Sequence, residues 1–183
     1  DTSKAVVDDN SLRFKPSNWD TPQLVTVTGV DNDIDDGDTN LTISLGNATS
    51  GDSTYNNLQV DSVEVTVTDD DIAGINVSPI SGLVTTESGG QDSFTVVLTS
   101  QPLHNVTLGL SSSDSSEGSL SSTSLVFTAA NWDSPKTVTV TGQDDSVDDG
   151  DKAYSIITAE SVSADSLYRI NPDDISAVNT DDD

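Results

Sequence analysis

Asn131-Trp132-Asp133-Ser134-Pro135-Lys136-Thr137-Val138-Thr139-Val140-Thr141-Gly142 is the stretch that decides the fold. After Pro135 polar and apolar side chains alternate, the period of two that a strand needs when one face meets a core and the other meets water. Val and Thr suit that pleated surface, and Gly142 closes the run. The pattern also stands 113 residues upstream, as Asn18-Trp19-Asp20-Thr21-Pro22-Gln23-Leu24-Val25-Thr26-Val27-Thr28-Gly29. From Asn18 to Asp38, 14 of 21 positions equal those from 131 to 151, so the chain is built of repeats.

Outward from this block the match runs without a gap through Asp35-Asp36-Gly37-Asp38 against Asp148-Asp149-Gly150-Asp151, and on to Tyr55 against Tyr168. One residue is then lost, after which Thr68-Asp69-Asp70-Asp71 answers Thr180-Asp181-Asp182-Asp183. A unit therefore ends in a triple aspartate. Running the offset backwards sets Asp1 opposite Asp114, so residues 1–71 read as the later part of one repeat and 72–183 as a complete one.

The complete unit predicts strands at 73–78, 83–86, 91–99, 106–112, 124–128, 136–142, 153–158 and 175–180. Short strands with turn signals about every ten residues predict an all-β chain of immunoglobulin-like sandwiches in tandem, the first incomplete at its N-terminal side. Half a sandwich leaves strand 24–28 without a lateral neighbour and Val25 and Val27 without part of their facing sheet. Completion is expected from neighbouring repeats, in the same chain as a longer array or in an adjacent chain. Trp19 and Trp132, each placed before a strand, are expected to be packing anchors at a sandwich edge.

The only glutamates are Glu64, Glu87, Glu117 and Glu160, which leaves 28 aspartates among 32 acids, against six Lys+Arg and a net charge of −26. So acidic a chain with so few apolar residues could be disordered, but its strict alternation argues for a fold. Nucleic acid and anionic lipid are excluded as partners, because no basic surface exists to displace a polyanion's counterions. No apolar run approaches the ~18 residues of a membrane span, so no membrane insertion is expected. Asp1 opens no signal peptide, which reads as a mature or excised segment. With no Cys, neither disulfides nor thiolate metal sites can staple the units. No nucleophile elbow, partnered histidine or phosphate loop is present, and arrays rarely repeat an active site, so no enzyme is expected.

Loops at one pole of a sandwich are distant in sequence but close in space. In the complete unit the acids follow successive strands: Glu87, Asp114, then Asp144, Asp145, Asp149 and Asp151, then Asp181, Asp182 and Asp183. Nine carboxylates at one pole repel unless divalent cations neutralise them, and Ca²⁺ takes six to eight hard oxygen ligands. Zn²⁺ would want Cys or His, and His104 is the only histidine. An EF-hand fails: after Asp31, Asp33 and Asp35 the Gly stands one place late at 37, and the twelfth position is Thr42 instead of Glu. Scattered acids such as Asp8, Asp9, Asp52, Asp92 and Asp165 are expected to be solvated surface.

Thr85-Thr86-Glu87-Ser88-Gly89-Gly90 before a Phe-x-Val-x-Leu strand, then Asn-Trp-x-x-Pro, Val-Thr-Val-Thr-Gly, Asp-Asp-x-x-Asp-Asp-Gly-Asp and a terminal Asp run resembles the Calx-beta domain, in the form found in tandem arrays of bacterial secreted and cell-surface proteins. The resemblance implies a calcium-binding sandwich with ligands Glu87, Asp114, Asp144, Asp145, Asp149 and Asp181 to Asp183, together with the Val147 carbonyl. In the first unit it implies Asp31, Asn32, Asp36, Asp69 and Asp70, with Asp1 answering Asp114 and Asp38 answering Asp151. Asn32 replaces an acid and nothing answers Glu87 there, which makes the first site the weaker. The function implied is a structural repeat of a large extracellular or cell-surface protein, an adhesin, matrix or filament component whose junctions calcium rigidifies. A glycan- or protein-binding adhesion module and a calcium-sensing pair are the alternatives.

Overall fold

A computed structural model describes all residues, 1–183. The chain divides into two compact units: Asp1–Asn32 with Asp36–Asp70, and Asp33–Asp35 with Asp71–Asp183. Asp33–Asp35 groups with the second unit because its polar groups are used there. The Asp33 carbonyl accepts from the Gln101 N–H at 2.5 Å, and an Asp35 carboxylate oxygen accepts from the Ala73 N–H at 2.9 Å.

In the first unit β1 (Ala5–Val7) pairs antiparallel with β2 (Val27–Gly29), and β3 (Thr39–Ile43) pairs antiparallel with β4 (Val63–Val67). These are two separate two-stranded ribbons. Ala5 is the only buried apolar residue of this unit, while Leu12, Phe14, Trp19, Leu24 and Tyr55 are exposed. The expected anchoring of Trp19 does not occur, because no strand is present to cover its ring.

The second unit is a two-sheet sandwich. Its strands are β5 (Ile75–Ser78), β6 (Leu83–Thr86), β7 (Gln91–Leu98), β8 (Val106–Ser112), β9 (Gly118–Leu120), β10 (Ser124–Phe127), β11 (Lys136–Gly142), β12 (Lys152–Thr158) and β13 (Ile175–Thr180). One sheet runs β10-β8-β12-β13-β6 and the other β5-β7-β11-β9. Every pairing is antiparallel except β6 with β13, so the chain changes sheet between β5 and β6. That layout is immunoglobulin-like, with a core in place of the inter-sheet disulfide.

Alternation builds this core directly. Phe94, Val96 and Leu98 of β7, Val106, Leu108 and Leu110 of β8, Val138 and Val140 of β11, and Ile175 and Ala177 of β13 all point inward and are buried. Trp132 packs against this cluster, and its carbonyl accepts from the Leu98 N–H at 3.1 Å. Tyr168, in a single 3₁₀ turn (Ser166–Tyr168), is buried as well. Its hydroxyl donates to the Ser100 carbonyl and also bonds the Ser100 hydroxyl at 2.8 Å.

Several scattered acids cap backbone N–H groups. Asp165, expected to be solvated, is buried and accepts from Leu103 and Leu167 N–H groups at 2.9 and 3.1 Å. Asp92 accepts from Val84 and Asp8 from Thr26. Aspartate is short enough to satisfy main-chain donors within turns and at strand edges.

Candidate metal centre

The parallel pairing of β6 with β13 sets Thr86 opposite Thr180, so the next residues on each strand, Glu87 and Asp181, leave the sheet side by side. The Glu87 N–H donates to the Thr180 carbonyl at 3.0 Å, and the Asp182 N–H to a Glu87 carboxylate oxygen at 3.4 Å. Glu87, Asp181 and Asp183 thereby offer oxygens that all lie within 4.8 Å of one another. Glu87 is only 3% exposed. Withdrawal from water pushes its carboxyl above the usual value, opposed by the Asp182 N–H and reinforced by the charges of Asp181 and Asp145. Asp183 is pushed up too, by desolvation and then by Asp181, Asp182, Asp144 and Asp145. Asp181 goes the other way, its carboxylate held down by N–H groups of Asp183 and Gly150.

The surrounding acids divide by what they already hold. Asp144 and Asp145 lie near enough to raise Asp183, and Asp145 also accepts from the Val147 N–H at 2.8 Å. Asp151 accepts from the Asp181 N–H at 3.2 Å, and Asp149 pairs with Lys152 at 3.1 Å. Asp114 is engaged in its own turn, one oxygen accepting from the Ser116 N–H at 3.0 Å and its hydroxyl at 2.5 Å, which lowers its carboxyl. It is not among the three converging oxygens.

The first unit repeats these local devices. Asp1 accepts from the Ser3 N–H at 2.9 Å and hydroxyl at 2.6 Å, as Asp114 does from Ser116. Gly37 N–H donates to Asp69 at 2.6 Å, as Gly150 N–H does to Asp181 at 2.6 Å, with both glycines in the left-handed region (φ 76° and 72°). Asp38 accepts from the Asp69 N–H at 2.9 Å, matching Asp151 and Asp181. Asp31, Asn32, Asp36, Asp69 and Asp70 line one small recess, which Lys4 also lines.

Sequence reasoning missed two residues that occupy one repeat position. Lys4 and Glu117 are 113 apart, the repeat offset. In the first unit Lys4 forms an ion pair with Asp36. In the second, Glu117 is buried and accepts from the Asn179 side-chain amide at 3.3 Å. Asn179, 1% exposed, also donates to the Gln143 carbonyl at 3.0 Å and accepts from the Thr85 hydroxyl at 2.9 Å, which in turn bonds the Tyr154 hydroxyl at 3.0 Å. The signal was available: a polar residue at an inward position of β13, after Ile175 and Ala177, needs buried partners. Gly142 is required beside this network, because a Cβ there would lie 2.1 Å from the Thr86 carbonyl oxygen and 2.5 Å from the Asn179 amide oxygen.

The donor set suits a hard divalent cation. It is all oxygen, carries several negative charges with Lys152 as the nearby cation on Asp149, and includes a carboxylate withdrawn from water. Comparison with known proteins finds no matching family model and no matching curated protein. Among solved structures the chain is similar to the apo-form Calx CBD1 domain (14% identity, TM-score 0.48, 62% of this chain and 100% of that one). It is also similar to domains 4 and 5 of the S-layer protein SbsC (14%, 0.40, 97% and 99%) and to WR4, a Caenorhabditis elegans MSP family member (15%, 0.37, 59% and 97%). The immunoglobulin-like assignment rests on strand order and the shared core of the second unit.

Proposed function

We propose that this chain is a calcium-binding structural module of a large extracellular or cell-surface protein, in which Ca²⁺ holds loop ends together and stiffens the junctions between repeats. The observation that carries this reading is the convergence of Glu87, Asp181 and Asp183 at the parallel β6–β13 end. Repulsion there has no basic group to offset it other than Lys152, and a divalent ion supplies what is missing. Asp144 and Asp145 are the further ligands proposed for the second unit, and Asp31, Asn32, Asp36, Asp69 and Asp70 for the first. A structural role fits repeated acids better than catalysis does, since tandem arrays seldom duplicate an active site. The proposed partners are neighbouring repeats.

Thermal unfolding with calcium and with EGTA tests the reading. At calcium about 100-fold above a site's dissociation constant, each site adds roughly 2.7 kcal/mol, enough to move a melting midpoint by several degrees. Glu87→Gln should keep the EGTA midpoint or raise it, since it removes a repelled buried charge, while reducing the calcium-induced increment. Equal midpoints with calcium and EGTA in the parent chain would refute structural calcium.

A further inference from the structure

The first unit reproduces the second half of the sandwich in register. β1 pairs with β2 as Ala5↔Gly29, Val6↔Thr28 and Val7↔Val27, and β9 pairs with β11 as Gly118↔Gly142, Ser119↔Thr141 and Leu120↔Val140, each residue displaced by the repeat offset of 113. β3 pairs with β4 as β12 pairs with β13, from Thr39↔Val67 against Lys152↔Asn179 onward. In the second unit three of these strands have additional neighbours. β7 pairs with β11 along Lys136–Thr141, β8 pairs with β12, and β6 pairs with β13. Their counterparts β2, β3 and β4 have those edges open. β2 is accordingly three residues long where β11 is seven.

Side chains report the same difference. Phe14 is 56% exposed where Phe127 is 0%, and Tyr55 is 57% exposed where Tyr168 is 1%. Trp19 is 71% exposed where Trp132 packs on the core. The backbone or hydroxyl partners that Trp132 and Tyr168 use, Leu98 and Ser100, both belong to the stretch 72–113. That stretch carries only two acids, Glu87 and Asp92, and no Lys or Arg, so it can seat against an acidic unit with little repulsion.

We infer that the open face of the first unit is a docking surface for one occupant: a polypeptide segment of the pattern of residues 72–113, the four strands β5 to β8 of a repeat, added in the register seen in the second unit. A second copy of this chain cannot supply it without dismantling its own sandwich, because its β5 to β8 are engaged there. The inference is independent of calcium, since strand pairing and apolar cover carry it.

The test is an extended chain in which a copy of residues 72–113 precedes Asp1, so that the copied Ser113 runs into Asp1 as Ser113 runs into Asp114. With Trp132→Phe in both the extended and the parent chain, Trp19 is the only tryptophan. Docking should shift Trp19 emission to the blue, cut acrylamide quenching several-fold, and slow amide exchange across residues 23–28, the counterparts of the β11 stretch that pairs with β7. Phe94→Asp with Val96→Asp in the copied segment alone should abolish all three effects. Trp19 equally quenched and 23–28 exchanging equally fast in the extended chain would overturn the inference. So would an extended chain that aggregates where the parent does not, or burial of Trp19 in the parent that grows with its concentration, which would make a second copy the occupant.

Discussion

One repeat position carries opposite charges in the two units. Lys4 is paired with Asp36, whereas Glu117 lies buried beside Asn179. An ammonium among the acids of the first unit neutralises part of their charge, and on the function proposed above it would compete with a divalent ion for the same carboxylates. Lys4→Glu should therefore lower the stability of the first unit in EGTA and increase its calcium uptake. Calorimetric titration of parent and variant checks this: the expected outcome is additional calcium bound per chain or a tighter weak phase, and an unchanged isotherm would show that Lys4 does not govern that recess.

At the scale of elements, the connection from β12 to β13 is tied to the stretch after β7 by a buried phenol, that of Tyr168. Tyr168 is buried, and desolvation pushes its hydroxyl above the usual value near 10, against the lowering effect of its bonds with Ser100. A folded-state value above the unfolded one means that the native state holds its proton longer. Its contribution to stability is then complete below about pH 10 and is lost as pH rises through that range toward the folded-state value. Urea unfolding of the second unit should thus weaken above about pH 10, with a steeper slope in the parent than in Tyr168→Phe. The variant is expected to be less stable at neutral pH by about 1 kcal/mol, from the lost hydroxyl bonds. Identical alkaline slopes would mean that another group dominates.

Across the whole molecule, stability should be unevenly divided. The second unit encloses a core drawn from both sheets, while the first buries one apolar residue and leaves Phe14, Trp19, Leu24 and Tyr55 in water. Burial of apolar surface is the main favourable term in folding, so the two units should not unfold together. Hydrogen exchange should show the amides of β7, β8, β11 and β12 protected by the global unfolding free energy and those of β1 to β4 exchanging orders of magnitude faster. Uniform protection across 1–183 would contradict this division.

Periodicity and repetition made much of the fold legible. The runs at 83–86, 106–112, 136–142 and 175–180 form β6, β8, β11 and β13 with those bounds, because alternating Val, Leu, Ile and Thr have one amphipathic solution in a pleated strand. The short β9 was missed, since Gly118-Ser119-Leu120 carries no alternation of its own and is a strand only because β11 offers it an edge. The paired turns, Asp1 with Ser3 and Asp114 with Ser116, recur with the repeat because those bonds join residues two apart. What only the tertiary structure decided is which acids meet. Glu87 reaches Asp181 and Asp183 through a parallel pairing of distant strands, Asp114 stays in its own turn, and Glu117 is drawn inside by Asn179. A local pattern specifies how a residue bonds its near neighbours, but which strand edge a second strand takes depends on the packing of the entire core, and the distances between carboxylates follow from that choice.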